Sequence, residues 1–294
     1  MQLSKTQFAD KAEKMRKQYW KHFAAAIAAL SAAATLLTVL FDFEWLKSCW
    51  LYGIIGTALV VGGSHLYAKW QIRTKKSIHL SLSSHLKLTI KEGDLFEQKG
   101  VICIPFNEYF DTHLGDGVVG EKTLHGLFIN KFFRDKIQVL DNTIKEALLT
   151  ETPVETIAKR RFDGCPIKKY ELGTCVDVNV EGNTYVLFAL THFDENDVAG
   201  LSRAEYGLVV KRLTEHLSKI CENRAVYMPL FGTGLARMHR THQRILTHLV
   251  DILDFDDQCS IPAGVHIVIK SLEDSNVNLS ALEEIIKKGI IETE

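Results

Sequence analysis

Residues 23–41 (FAAAIAALSAAATLLTVLF) and 49–68 (CWLYGIIGTALVVGGSHLYA) hold no Asp, Glu, Lys or Arg, and no other feature restricts the fold as strongly. At about 1.5 Å per helical residue, each stretch reaches across roughly the hydrocarbon thickness of a bilayer. Trp45, Trp50, Tyr52, Tyr67 and Trp70 group near the two ends of the second stretch, where aromatic belts form. The pair predicts a transmembrane helical hairpin over residues 22–70, with spans at about 23–41 and 49–68. Lys11, Lys14, Arg16, Lys17 and Lys21 precede it and Lys69, Arg73, Lys75 and Lys76 follow it, while the connecting turn has only Lys47. That bias places both termini in the cytoplasm. A signal peptide is disfavoured because its apolar region is shorter, about 7 to 15 residues. A buried hairpin is disfavoured because both helices are apolar all round.

In the lead, residues 1–21, Ser4 with Gln7 forms a capping box, and Phe8, Ala12, Met15 and Tyr19 recur at helical spacing. The lead is expected to be an amphipathic helix lying on the inner leaflet. Small residues recur every fourth position in both spans (Ala24, Ala28, Ala32; Ala58, Gly62), a pattern that either lets helices associate closely or merely fills a helix.

Lys plus Arg (35) nearly balance Asp plus Glu (36), so the chain as a whole presents no field that would draw nucleic acid. Six scattered cysteines show no zinc or disulfide spacing and read as reduced thiols. His239, His242 and His248 lack accompanying carboxylates or cysteines, so neither a metal nor a cofactor is expected.

After a linker over 71–84, residues 85–294 read as a three-layer α/β/α domain with a mixed sheet. IHLSLSSHLKLTI alternates apolar and polar residues as one strand, and VICIP is continuous, as in a strand buried on both faces. Helices are expected over 123–133 and 135–149, a hairpin over 173–191, and a helix opened by a Ser202–Glu205 capping box. The strand AVYMPL, a helix from 239 to about 255, the strand VHIVIK and a helix capped by Ser280 with Glu283 complete it.

Three loops stand at strand ends, where open α/β sheets bind ligands. In KEGDLFEQ, Asp94 can accept from an exocyclic amine or close an Asx turn. A long segment from Asn107 through Gly115, Asp116, Gly117, Val118 and Val119 separates a strand from a helix, and loops of that length inside compact domains tend to be functional. In LFGTGLAR, Gly232 and Gly234 either let main-chain amides cradle a phosphate or form a tight turn, since the lysine of a Walker loop is missing.

Together, Gly93-Asp94, a buried strand ending at Asn107, the segment Gly115–Val119 and the run Pro229–Gly234 resemble the macro domain, a binder of ADP-ribose and its derivatives. The likeness covers roughly residues 85–290. With the two spans in front, the chain is similar to the membrane effector of type II Thoeris antiphage systems. The resemblance implies that Asp94 and Leu95 meet the adenine, that Phe231, Gly232, Thr233, Gly234 and Leu235 cradle the diphosphate, and that Asn107, Asp116, Gly117 and Val118 line the distal ribose. It also implies that Arg237 adds charge to a phosphate or to a group attached to that ribose. The ligand implied is an ADP-ribose conjugate, histidine-ADP-ribose, made by a TIR-domain partner. The response implied is homo-oligomerisation, disruption of the inner membrane and abortive infection.

Hydrolytic macro domains carry a doubled asparagine and a triple glycine, where this chain has PFN and LGDG. A sensor is therefore expected and not an enzyme. The alternatives are a membrane-tethered hydrolase using Asp111 or Asp116 as base, and an anchored interaction module without a nucleotide.

Overall fold

The computed structural model describes residues 19–32, 50–71, 75–82, 86–115, 118–157, 165–194, 198–234, 238 and 240–291. The chain divides into two compact units, Met1–Thr74 and Lys75–Glu294. In the first, residues 19–32 are helical and α1 spans Trp50–Gln71. The Tyr19 hydroxyl hydrogen-bonds His65 Nδ1 and the two rings meet edge to face, so the start of one helix lies beside the end of the other, as in an antiparallel pair.

Among the described residues, no helix is long and apolar enough to cross a membrane. Residues 1–18 and 33–49, which hold most of the predicted lead and the end of the first predicted span, lie outside the described residues. The described helices thus give the expected transmembrane hairpin no support.

The second unit is built on one mixed sheet, ordered β1-β2-β10-β9-β3-β7-β6, with β8 paired to β7. These are β1 (Ser77–Ser81), β2 (Leu86–Glu92), β3 (Val101–Asn107), β6 (Cys175–Val180), β7 (Asn183–Phe193), β8 (Ala199–Gly200), β9 (Val226–Pro229) and β10 (Ile261–Ile269). A separate two-stranded pair joins β4 (Glu155–Thr156) and β5 (Lys168–Lys169). Neighbours from β2 to β7 run parallel, and β1 and β6 are antiparallel edges.

Alternation in β3 shows why the sheet sits between two helical layers. Val101 and Cys103 join one core cluster, with Val209, Leu213 and Leu217 of α4 (Arg203–Ile220), Leu249 of α5 (His242–Asp254) and Leu282 of α6 (Leu279–Ile291). Ile102, Ile104 and Phe106 join the other, with Phe128 and Phe132 of α2 (Leu124–Phe132) and Leu140 and Ile144 of α3 (Ile137–Ala147). Each such side chain contributes about 1.5–3 kcal/mol when fully buried. The expected α/β/α layering and mixed sheet are thus found.

The β6–β7 hairpin closes on Glu181 and Gly182, with φ of 50° and 79°. Two successive positive φ values give the type I′ turn whose twist matches that of the strands. The Ser202–Glu205 capping box also forms.

Two local expectations are corrected. IHLSLSSHLKLTI is a pair of antiparallel strands, since Ser77–Ser81 folds back on Lys87–Lys91; residues 77–81 therefore belong to the sheet and not to a linker. The last helix is capped by Asn278, whose Oδ1 accepts from the Ala281 amide, because Ser280 already lies inside the helix and Glu283 pairs with Lys75.

Candidate nucleotide-binding cleft

β3 and β9 pair only at Val101↔Val226 and Ile102↔Tyr227, and beyond that the strands part. Pro105, which has no N–H to give a ladder, lies on β3 beyond the last of these pairs. The helix after β3 packs on one face of the sheet and the helix after β9 on the other. Such a reversal is the topological switch point where open α/β sheets form their ligand crevice. A cleft of about 580 Å³ occupies it, lined by Pro105, Phe106 and Asn107 of β3, Leu190, Thr191 and Phe193 of β7, and Leu230, Phe231, Thr233 and Gly234 after β9. The register of β7 slips between Phe106 and Asn107, leaving Leu190 unpaired against β3 and lining the cleft. A second groove of about 630 Å³ is lined by Arg203 of α4, His248 and Asp251 of α5, and Phe255 just past the end of α5.

Behind the cleft is a fixed polar knot. Asn107 is buried, and its Oδ1 accepts from the amides of Tyr109 (3.0 Å) and Asp111 (3.3 Å), which bends the chain directly after β3. Its Nδ2 donates to Oδ2 of the fully buried Asp111 (2.9 Å). The tightness of the bend forces Phe110 to a φ of 55°, a conformation that costs on the order of 1 kcal/mol and is held by burial of its ring. The Asp111 carbonyl in turn accepts from His125 Nε2 at 2.8 Å, and the His125 ring lies against Phe106 with centroids 3.5 Å apart. Burial holds the His125 pKa down to about 3, against the pull of that carbonyl, so the imidazole is neutral.

A second knot sets the opposite wall. The Phe193 amide donates to Glu108 Oε1 at 2.8 Å, and Lys169 Nζ stands 3.9 Å from the same oxygen. The Phe193 ring stacks on Tyr109 at 6.2 Å. Burial pushes the Glu108 carboxyl up, opposed by the Phe193 amide and by Lys169.

The donors come from two places. Thr123 caps α2, with its Oγ1 accepting from the Gly126 amide (3.1 Å) and donating to the Gly120 carbonyl (2.7 Å). The amides of Leu124 and His125 have no intrahelical acceptor by position, and the helix end adds partial positive charge. Lys122 stands exposed at the cleft rim beside them. Gly126 has no room for a side chain, because a Cβ would meet the Gly120 oxygen at 2.4 Å.

The other donor group is the turn after β9. Gly232 has a φ of 85°, and a Cβ there would fall 2.8 Å from Met238 Sδ and 2.9 Å from Tyr206 Cε2. No backbone hydrogen bond among the described residues uses the amides of Gly232, Thr233 or Gly234. Thr233 Oγ1 donates to the Leu230 carbonyl at 3.2 Å, which closes the turn. Gly234 is exposed with open space where a Cβ would sit. Two sets of main-chain donors and a lysine around one apolar-walled cleft suit an anion carried on a flat or apolar body.

Of the residues singled out in the sequence, Asn107, Val118, Phe231, Thr233 and Gly234 line this cleft and Gly232 shapes its turn. Asp94 does not line it; it caps the short 3-10 helix Leu95–Glu97, accepting from the Phe96 amide at 2.8 Å at the end of β2. Leu95 is buried in the core. Asp116, Gly117, Leu235, Arg237 and His239 lie outside the described residues. Lys122, Thr123, His125, Thr191 and Phe193 were not foreseen as site residues. The signal for the first three was the N-terminus of α2, which opens at the same end of the sheet as the glycine turn.

A family model described as "Thoeris protein ThsA, Macro domain" matches residues 88–270. The Thoeris protein ThsA of Bacillus amyloliquefaciens (strain Y2) is 27% identical over 212 residues, covering 69% of this chain and 69% of the relative. Among solved structures, a mutant Oceanobacillus iheyensis macrodomain with ADPR is 13% identical, covers 72% of this chain and 99% of its own, and has a TM-score of 0.49. The Mycobacterium tuberculosis DarG macrodomain is 14% identical, covers 62% and 96%, and has a TM-score of 0.39. The span matched by the family model contains the strands and loops that form the cleft, and the chain belongs to the Thoeris ThsA macro domain family.

Proposed function

We propose that the cleft between β3 and β9 binds an ADP-ribose-derived signal and that the chain is a sensor in Thoeris antiphage defence. The observation that carries this reading is the meeting of the Gly232–Gly234 amides, the N-terminus of α2 and Lys122 around one crevice at the switch point. Their chemistry fits a diphosphate, and the walls of Phe106, Phe193, Leu230 and Phe231 fit the flatter parts of a dinucleotide. Asp94 ends the third strand over from β3, about 14 Å away at the usual strand spacing, so a ligand of dinucleotide length can reach both.

In this proposal the chain binds its signal without turning it over. A general base must be within reach of the attacked group, whereas Asp111 is fully buried and held by Asn107, and His125 donates to a carbonyl and stays neutral. The signal is histidine-ADP-ribose from a TIR-domain partner. Its binding favours a homo-oligomer, and residues 22–70 act at the bacterial inner membrane, with both termini and the macro domain in the cytoplasm. Support for the membrane step is the uncharged composition of 23–41 and 49–68.

The test of the cleft is calorimetric titration of the full chain with ADP-ribose, beside the variant Gly234→Glu. Space is open at Gly234, so the variant folds, and it brings a carboxylate against the diphosphate at a cost of about 1–4 kcal/mol. Affinity is expected to fall tenfold or more. Equal affinity in both proteins sinks the assignment.

A further inference from the structure

The donors around the cleft account for an anion and leave open how the rest of a ligand is told apart. His125 bears on that question, and nothing in its geometry is left to choice. A carbonyl can only accept, so the 2.8 Å contact with the Asp111 oxygen puts the ring proton on Nε2. The neutral ring then has a bare Nδ1. The ring cannot easily turn, since it lies against Phe106 and the Asp111 segment is pinned to the end of β3 by Asn107. Nδ1 makes no hydrogen bond among the described residues and is not sealed from solvent, and His125 lines the cleft. The result is a fixed acceptor beside a set of donors.

We propose that His125 sets specificity in the cleft by accepting, at Nδ1, a hydrogen bond from a hydroxyl group of the ligand. The inference rests on the cleft being the nucleotide site. A neutral donor is favoured over an ammonium group because Lys122 and the N-terminus of α2 make this end of the cleft positive. A hydroxyl also has lone pairs for the nearby amides, so one group satisfies both sides. A diphosphate that carries a polyol, such as a second ribose, is therefore preferred to one that ends at phosphate. Sites built around a buried hydrogen-bonding group reject the analogue that lacks its partner more strongly than apolar pockets reject a missing methylene.

The experiment is calorimetry on the full chain with ADP-ribose and ADP, comparing wild type with His125→Gln, His125→Asn and His125→Ala. In His125→Gln the terminal amide nitrogen stands in for Nε2 and keeps the bond to Asp111, while the acceptor at Nδ1 is lost. ADP-ribose affinity should fall about tenfold and ADP affinity should hold. His125→Asn keeps an acceptor near Nδ1 and should retain more of the preference for ADP-ribose than His125→Ala. Unchanged ADP-ribose binding in His125→Gln, or an equal loss for both nucleotides, overturns the inference while the cleft reading stands. Wild-type protein that binds neither nucleotide overturns both.

Discussion

Gly126→Ala tests whether the cleft wall is as tightly built as its geometry says. A Cβ at this position would lie 2.4 Å from the Gly120 oxygen and 2.8 Å from Glu121 Cα. Both are backbone atoms, so relief requires moving the segment that carries Val118, Val119 and Gly120 away from α2. Forcing one methyl into such a contact costs about 1–3 kcal/mol. Against it, alanine is favoured over glycine in a helix by about 0.5–1 kcal/mol, and by less in the first turn. The clash wins, leaving a net loss of about 1–2 kcal/mol.

Gly207→Ala is the control, because nothing lies within 4 Å of a Cβ there and the site is inside α4. The same chemical change should therefore stabilise by about 0.5–1 kcal/mol. Urea unfolding of both variants, followed by far-ultraviolet circular dichroism, gives the two signs directly; tryptophan fluorescence does not suit, since all four tryptophans lie at or before residue 70. Gly126→Ala also shifts residues lining the cleft, so its ADP-ribose affinity should drop while that of Gly207→Ala holds. If Gly126→Ala proves as stable as wild type, the packing of the 118–121 segment against α2 is wrong.

Ser202→Ala removes an Oγ that accepts from the Glu205 amide at 3.2 Å, and should cost about 1 kcal/mol, with Ser202→Asp restoring most of it; an equal loss in both variants would exclude capping as the cause. Stability should also fall on acidification. The folded pKa of His125 is depressed to about 3, so below about pH 6.5 the unfolded chain binds the extra proton and folding weakens by about 1.4 kcal/mol per pH unit until the folded pKa is reached. Glu108, pushed up by burial, opposes this over part of the same range. In His125→Gln the acid limb should flatten, and an unchanged limb would assign the acid sensitivity elsewhere.

Much of the domain was legible because its elements obey local rules. The continuous apolar run of VICIP, the 3.6-residue stripes of α3 and α4, and the capping box at Ser202 each point to one structure. Where the sequence misled, a long-range partner decided. The alternating run 78–90 is equally consistent with one long strand or two short ones, and only the antiparallel pairing of Ile78 with Ile90 reveals the hairpin. Asp94 had two local readings; its side chain closes the Asx turn to Phe96, and the contact with an exocyclic amine belongs to the ligand-bound state. His125 carries no motif; its meaning comes from Asp111, a loop away in sequence, and from Phe106 on the neighbouring strand. Hydropathy marked 49–68 as a span, a reading to which the described residues give no support.

Diffraction from crystals of the chain grown with ADP-ribose tests the central claim most directly. The nucleotide should lie across the ends of β3 and β9, with its diphosphate within hydrogen-bond distance of the Gly232–Gly234 amides. A ribose hydroxyl should approach His125 Nδ1. Density in the groove along α4 and α5, or none at saturating nucleotide, would contradict it.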